Sequence, residues 1–294
     1  MIKVGVNPIA WSNGDFPELG DGIGLSRCLT EIRRAGFAGT ELGHGFPTEP
    51  AALRAALDAH GLELISAWYP SYVLTRGADA EARAFGELVR LLSKVGGRYA
   101  VVAEQTRSVQ RDRGAPLGFR RGASVLSGSE WDRLAQGIER LAASAREHGI
   151  ELVYHPHMGT LIQDEEQVRA LVERTSEQVR LTADTGHIRF AGDDPARFFE
   201  RFLDRIGLVH LKDVRAPVVE RFTRSPSSFY QAVVEGVFTV PGDGDLDFAA
   251  VFEVLRRGRY EGWLVVEAEQ DPKKADPFLY SRKGREAVRS SLGV

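Results

Sequence analysis

Short apolar, β-branched runs alternate along the whole chain with longer amphipathic stretches. The period-2 and buried-run patterns predict strands near 3–8, 38–43, 62–68, 98–104, 151–156, 179–184, 207–211 and 262–267. Between them the helical period predicts segments at 79–95, 129–148 and 194–205; in the first, Phe85, Leu88, Leu91, Leu92 and Val95 recur at helical spacing. Asp79 is the expected N-cap of that segment. Ser129, with Asp132 three residues on, gives the next a capping-box-like start. Gly36, Gly61, Gly96 and Gly149 each follow a helical run, where a left-handed residue closes the last turn.

Eight such alternations with no break in composition predict one (β/α)₈ TIM barrel, a single domain over residues 1–294. A doubly wound sheet competes with this reading, but it would place a glycine-rich phosphate loop after strand 1. The chain has Asn-Pro-Ile-Ala-Trp-Ser-Asn (7–13) there instead. A minimal barrel needs about 250 residues, and the surplus falls in two long βα insertions, 105–128 and 213–246. Both are expected over the C-terminal mouth, where long loops carry function.

Composition narrows the class. Hydrophobic residues at 43% and charged residues at 27% suit an ordinary globular protein. A formal charge of −3 argues against a nucleic-acid partner. Cys28 stands alone, which excludes an intrachain disulfide and fits a reducing compartment. No signal-like start or membrane-length apolar run is visible, so a cytoplasmic protein without a membrane partner is expected. Whether it forms a homo-oligomer is left open.

The chemistry gathers at the predicted strand ends. In order these are Asn7, Glu41, Trp68, Glu104, His155, Asp184, His210 and Glu267. A polar group ending an apolar strand is costly to bury without a partner. A single such histidine or carboxylate usually serves a hydrogen bond or a helix cap, but four metal-binding types on consecutive strands point to a shared ion. His155, Asp184, His210 and Glu267 are therefore the expected ligands of one divalent metal. Mixed imidazole and carboxylate donors suit Mn²⁺, Fe²⁺, Co²⁺ or Zn²⁺ better than Mg²⁺ or Ca²⁺; availability decides among the four, and Mn²⁺ or Co²⁺ is the expected ion. His157 lies two residues beyond His155 and should face the same way. His187, Lys212, Asp213 and Arg215 come close behind the ligand positions. Trp11 and Trp68 could wall a ring-shaped substrate. The loop from 105 carries Arg107, Arg111, Arg113, Arg120 and Arg121, expected at a solvated surface or a subunit contact rather than on a phosphate.

Asp-Thr-Gly-His (184–187), His-Leu-Lys-Asp (210–213) and Glu267 resemble the xylose-isomerase-like barrel superfamily. Ala-Glu-Gln-Thr-Arg-Ser-Val-Gln (103–110), Val-Tyr-His-Pro-His-Met-Gly-Thr (153–160), Phe-Thr-Val-Pro-Gly-Asp-Gly (238–244) and Val-Glu-Ala-Glu-Gln-Asp-Pro (266–272) are similar, within it, to the inosose dehydratases. The resemblance runs from about residue 5 to residue 277. It implies metal-dependent loss of water from a polyol ketone, 2-keto-myo-inositol, with the ligands at His155, Asp184, His210 and Glu267. The wider superfamily carries Glu where this chain has His155, which puts that ligand position in question, and His157 is its alternative. For proton transfer the candidates are His157, Glu41 and His187, with Lys212 as a donor or electrostatic stabiliser. Asn13, Glu104, Gln105, Glu269, Gln270, Arg215 and Trp11 are candidates to hold the substrate.

Three other readings stay open. A keto-sugar isomerase or epimerase would use the same metal and proton abstraction. An endonuclease-like enzyme on this barrel would need a basic surface that the charge does not supply. A non-catalytic binding protein would have no use for a ligand ring beside potential bases.

Overall fold

The computed structural model describes residues 1–118 and 126–294; Arg120 and Arg121 lie outside the described residues. One parallel sheet runs in the order β3 (Glu63–Leu64), β2 (Gly39–Thr40), β1 (Ile2–Val6), β11 (Gly262–Val266), β8 (Ile206–Leu211), β7 (Arg180–Asp184), β6 (Glu151–Tyr154), β5 (Tyr99–Glu104) and β4 (Ser66–Ser71). Its two outer members, β3 and β4, are separated only by Ile65. They are one stave, broken at that residue. Ile65 donates its N–H to Thr40 on one side and accepts from Arg98 and Tyr99 on the other, which closes the circle. The predicted strand at 62–68 is thus present but interrupted, and it runs on to Ser71. Trp68 consequently sits mid-strand rather than at a tip.

Alternation along the staves divides the core. Ile65, Tyr99, Val101, Val153, Leu208, Trp263 and Val265 form one buried cluster that fills the barrel. Their strand neighbours Val102, Tyr154, Val209, Leu264 and Val266 belong to the larger cluster shared with the helices. A third cluster packs Phe16, Met158, Phe190, Phe222, Phe229 and Phe238 under the loops of the C-terminal mouth. That face therefore has a hydrophobic core of its own.

Two helix starts differ from expectation. One helix spans Ala78–Val95 with Gly77 at its N-cap position and no side-chain cap; Asp79 lies in the first turn, where its charge still favours the helix dipole. Another spans Gly128–Arg146, capped by Ser127 with Glu130 in a reciprocal capping box, two residues before the Ser129–Asp132 pair. Both Ser-x-x-acid patterns occur in sequence. The earlier one forms the cap, and Trp131 is buried at the end of the first turn that it starts. Gly36, Gly61, Gly96 and Gly149 all have positive φ at helix ends, as expected.

The insertion after β8 folds into a unit. Strand β9 (Asp213–Val214) pairs antiparallel with β10 (Phe238–Thr239), flanking the helices Ala216–Arg224 and Phe229–Val234. Asp213 holds it together: its carboxylate accepts from the N–H groups of Val214, Gly242, Gly244 and Leu246 at 2.8–3.1 Å. No helix among the described residues is long and apolar enough to cross a membrane.

Candidate active site and metal centre

The C-terminal mouth of the barrel opens into a cavity of about 320 Å³. Asn7, Glu41, Trp68, His155, His157, His210, Glu267 and Glu269 line it, so eight residues singled out in the sequence converge on one space. Asp184, His187 and Lys212 lie behind that wall, each with at most 1% of its surface exposed.

Asp184 shows how local structure aims a candidate ligand. It ends β7 and caps the helix Thr185–Ala191, its Oδ1 accepting from Gly186 and His187 N–H, both at 2.9 Å. One oxygen is thus fixed by the helix start. The other, Oδ2, is buried without a hydrogen-bond partner, although His155 Nε2, His210 Nδ1 and Lys212 Nζ each stand 3.6 Å away. His210 Nδ1 is likewise unpartnered; it lies 2.7 Å from Glu267 Oε2 without the direction a hydrogen bond needs. Ligands about 2.1 Å from one ion stand about 3.0–3.4 Å apart at right-angled or tetrahedral corners. The observed spacings bracket that range, 3.6 Å lying just above it and 2.7 Å just below, so small side-chain shifts bring the donors onto one ion. The donor set fits a divalent cation.

Glu41 has a different place from the one its strand end suggested. Its Oε1 faces His210 Nε2 at 3.2 Å and accepts from Ser66 Oγ, while Oε2 accepts from Asn7 Nδ2 at 2.7 Å. A carboxylate on the far nitrogen of a ligand imidazole fixes the ring's tautomer and orientation. Burial opposes charge on His210, but Glu41 and Glu267 outweigh it and push its pKa well above the ordinary value in the metal-free chain. The same charges act in reverse on the carboxylates. Burial raises Asp184 and Glu267, yet the Lys212 ammonium and neighbouring histidines pull both well below the usual range.

Lys212 is fully buried at the centre of this network. Its Nζ is 2.6 Å from Glu267 Oε1 and 3.1 Å from His187 Nε2, with the Phe238 ring centroid at 4.5 Å. Gly186 is required beside it, because a Cβ there would lie 2.6 Å from Lys212 Cγ. Lys212 does not line the cavity.

Donor atoms of His155, Asp184 and His210 lie within 4.8 Å of one another, as do those of Glu41, His210 and Glu267, which share His210, and those of a separate group, His157, His187 and Glu269. His157 donates from Nδ1 to Met158 O at 2.8 Å, which leaves Nε2 with its lone pair. Burial, then His155 and Lys212, hold its pKa down at about 3, so the ring is neutral. His187 is depressed well below its usual value by burial and by His157; its Nδ1 accepts from Met158 N–H at 3.2 Å. Burial raises Glu269 to about 8, with Asn13 Nδ2 donating to its Oε1 at 3.1 Å.

Several expected substrate contacts are elsewhere. Trp11 is fully buried in the helix-facing core, and its Nε1 donates to Glu31 at 2.7 Å. Glu104 is a buried bracket, accepting from Ser71 Oγ, Val73 N–H and Thr106 N–H at 3.0–3.2 Å. Arg215 ties the insertion together through Gly236 O, Phe238 O, Thr239 and Asp243. Gln105 reaches Gln110 at 3.3 Å, and Gln270 reaches Thr239 at 3.3 Å; neither lines the cavity. Each is a polar residue near a strand end whose side chain is taken up by a neighbouring backbone or loop.

Conversely, Asp15, His44, Gln110 and Arg111 line the mouth without having been assigned to it from sequence. Arg111 lies within the arginine-rich loop, and composition alone could not separate it from its neighbours. Arg107 pairs with Glu130 at 3.0 Å and Arg113 with Glu18 at 2.7 Å, both away from the cavity.

A family model described as xylose isomerase-like TIM barrel matches residues 29–291. An inosose dehydratase of Geobacillus thermodenitrificans is 42% identical over 100% of this chain and 98% of its own. The rhizopine catabolism protein MocC of Rhizobium meliloti is 43% identical over 97% of this chain and 87% of its own. Among solved structures, IolI protein with a bound zinc atom superposes with a TM-score of 0.71 at 14% identity, covering 99% of this chain and 100% of that one.

Proposed function

Since the chain belongs to the inosose dehydratase family of xylose isomerase-like TIM barrels, we propose that it removes water from 2-keto-myo-inositol to give a trihydroxycyclohexane-1,2-dione. The observation that carries this reading is the unpartnered Asp184 Oδ2 among imidazole and carboxylate donors, just behind the wall of a cavity that also presents a neutral histidine. The cavity is of the size that takes a six-membered polyol ring.

Each residue has a distinct part in the reaction. A divalent ion held by His155, Asp184, His210 and Glu267 supplies Lewis-acid polarisation of the ketone; Mn²⁺ or Co²⁺ is our assignment, with Zn²⁺ or Fe²⁺ as alternatives. Glu41 fixes the orientation of His210. Lys212, buried against Glu267, offsets the negative charge of the ligand carboxylates. His157 takes the proton from the carbon next to the ketone through its free Nε2, which no hydrogen bond occupies. As the carbon–hydrogen bond breaks, its electrons form the double bond and expel the adjacent hydroxyl. The proton returns from the imidazolium to that hydroxyl, which leaves as water. Glu269, positioned by Asn13, hydrogen-bonds ring hydroxyls, and Trp68, edge-on to His155 at 5.8 Å, walls the ring. The reaction is placed in a reducing cytoplasm, which the single buried Cys28 suits.

Incubation with 2-keto-myo-inositol and Mn²⁺ or Co²⁺ should generate the ultraviolet absorbance of a conjugated dione–enol, and chelation should abolish it. Recovery of an epimer carrying solvent deuterium, with no dione, would replace dehydration by the epimerase reading.

A further inference from the structure

The cavity mouth carries a charge pair that the chemistry at the metal does not use. Asp15 comes from the loop after β1, and Gln110 and Arg111 from the loop after β5; all three line the opening. Arg111 approaches Asp15 Oδ1 through Nε at 2.7 Å and through a terminal nitrogen at 2.6 Å, while Gln110 Nε2 donates to Asp15 Oδ2. The Arg111 side chain remains 56% exposed and that of Asp15 only 13%, so the carboxylate is the inner member and the guanidinium the outer. Unpaired, an arginine at the mouth of a cavity is a phosphate receptor. Here its charge is cancelled in place. A carboxylate beside an incoming phosphate adds like-charge repulsion as well.

We infer that the Asp15–Arg111 pair sets the specificity of this site, admitting uncharged ring hydroxyls and excluding phosphorylated sugars. The two side chains, with Gln110, offer neutral hydroxyls both donors and acceptors, and they offer an anion no net positive charge. The inference rests on the polyol reading only for the identity of the ring that binds.

The test needs no organic substrate. Inorganic phosphate is titrated calorimetrically into the metal-loaded protein, the Asp15→Asn variant and the Asp15→Asn/Arg111→Met double variant. Asparagine keeps the shape of Asp15 and an acceptor oxygen while removing its charge. Releasing the guanidinium should tighten phosphate binding about tenfold or more relative to wild type. The double variant should return to the wild-type value, since any phosphate held by the metal is common to all three proteins. Arg111→Met alone should leave phosphate binding at or below wild type, which gives a second reading should Asp15→Asn fold poorly. Unchanged phosphate affinity in Asp15→Asn, or a gain that survives in the double variant, overturns the assignment. Because no turnover is measured, a failed dehydratase assay and a failed phosphate titration are separate results.

Discussion

The floor and the rim of the cavity are built from opposite materials. The floor is made of groups at or just beyond barrel strand ends: His155, Asp184, His210 and Glu267, with Lys212 behind them, none more than 6% exposed. Its charges sit in a low dielectric, so the pKa values of Asp184, His210, Lys212 and Glu267 are strongly displaced and each group depends on the others. The rim is made of loop residues such as Arg111 and Asp15, whose ion pair faces solvent, as does the Arg113–Glu18 pair of the same loop outside the cavity; both arginine side chains are more than half exposed. Water and salt screen them. The same residue types are therefore interdependent below and nearly independent above. On the proposed function, catalytic geometry would be placed where the barrel is rigid, and selection of the substrate where side chains can be exchanged cheaply.

Breaking the floor should have the largest effect. Glu267→Ala removes a ligand and strands the buried Lys212 ammonium, so metal content by elemental analysis and turnover should fall together, turnover by about 10³-fold or more, with stability reduced by about 3–5 kcal/mol in denaturant unfolding. Full metal retention in that variant would remove Glu267 from the ligand set. His157→Ala should lower kcat by about 10²–10⁴-fold with the metal still bound, because it deletes the proton acceptor and spares the ligands. If kcat is unchanged, the base is another group.

Glu104 sharpens the contrast, since it is an acidic strand end that belongs to neither surface. Glu104→Ala strands the N–H groups of Val73 and Thr106, and should cost about 2–3 kcal/mol of stability while kcat stays near wild type. A large loss of kcat in a folded variant would return Glu104 to the site. The floor should also show in the pH dependence of stability. Glu269 has an ordinary pKa of 4.5 that burial raises to about 8. Between those values the native chain holds a proton that the unfolded chain has released, so its contribution falls as pH rises through that window. Below about pH 6.5 the depressed His157 and His187 oppose this fall, so chelator-treated protein should lose stability from about pH 6.5 to 8, and Glu269→Gln should flatten that slope. Beyond the rim, in the same loop, the expected effect is smallest: Arg113→Met should shift unfolding by less than about 1 kcal/mol, and less again at high salt. A loss several times larger would make the loop structural.

The floor was largely legible because strand-end position, residue type and order along the chain coincide at His155, Asp184, His210 and Glu267. Ambiguity entered where several fates share one local pattern. Glu41 and Glu104 both end strands in carboxylates, yet one orients a histidine and the other brackets a backbone turn. Trp11 and Trp68 both looked able to wall a ring, and only Trp68 faces the cavity. Ser127 and Ser129 both offer a Ser-x-x-acid pattern, and only the folded helix start shows that Ser127 is the cap.

By itself the sequence determined the features that periodicity and residue chemistry dictate: eight staves, their alternating helices, the glycine-closed helix ends and an imidazole–carboxylate set on successive strands. These are local properties, repeated often enough that errors of a residue or two at each boundary leave the barrel intact. Tertiary structure alone decided which nitrogen of His210 faces Glu41, that Lys212 is sealed behind Glu267, and that Arg111 meets Asp15 across the mouth. Each joins residues roughly 55–170 positions apart. No period along the chain encodes such a pairing, because loop conformation and barrel closure set the distance between its members.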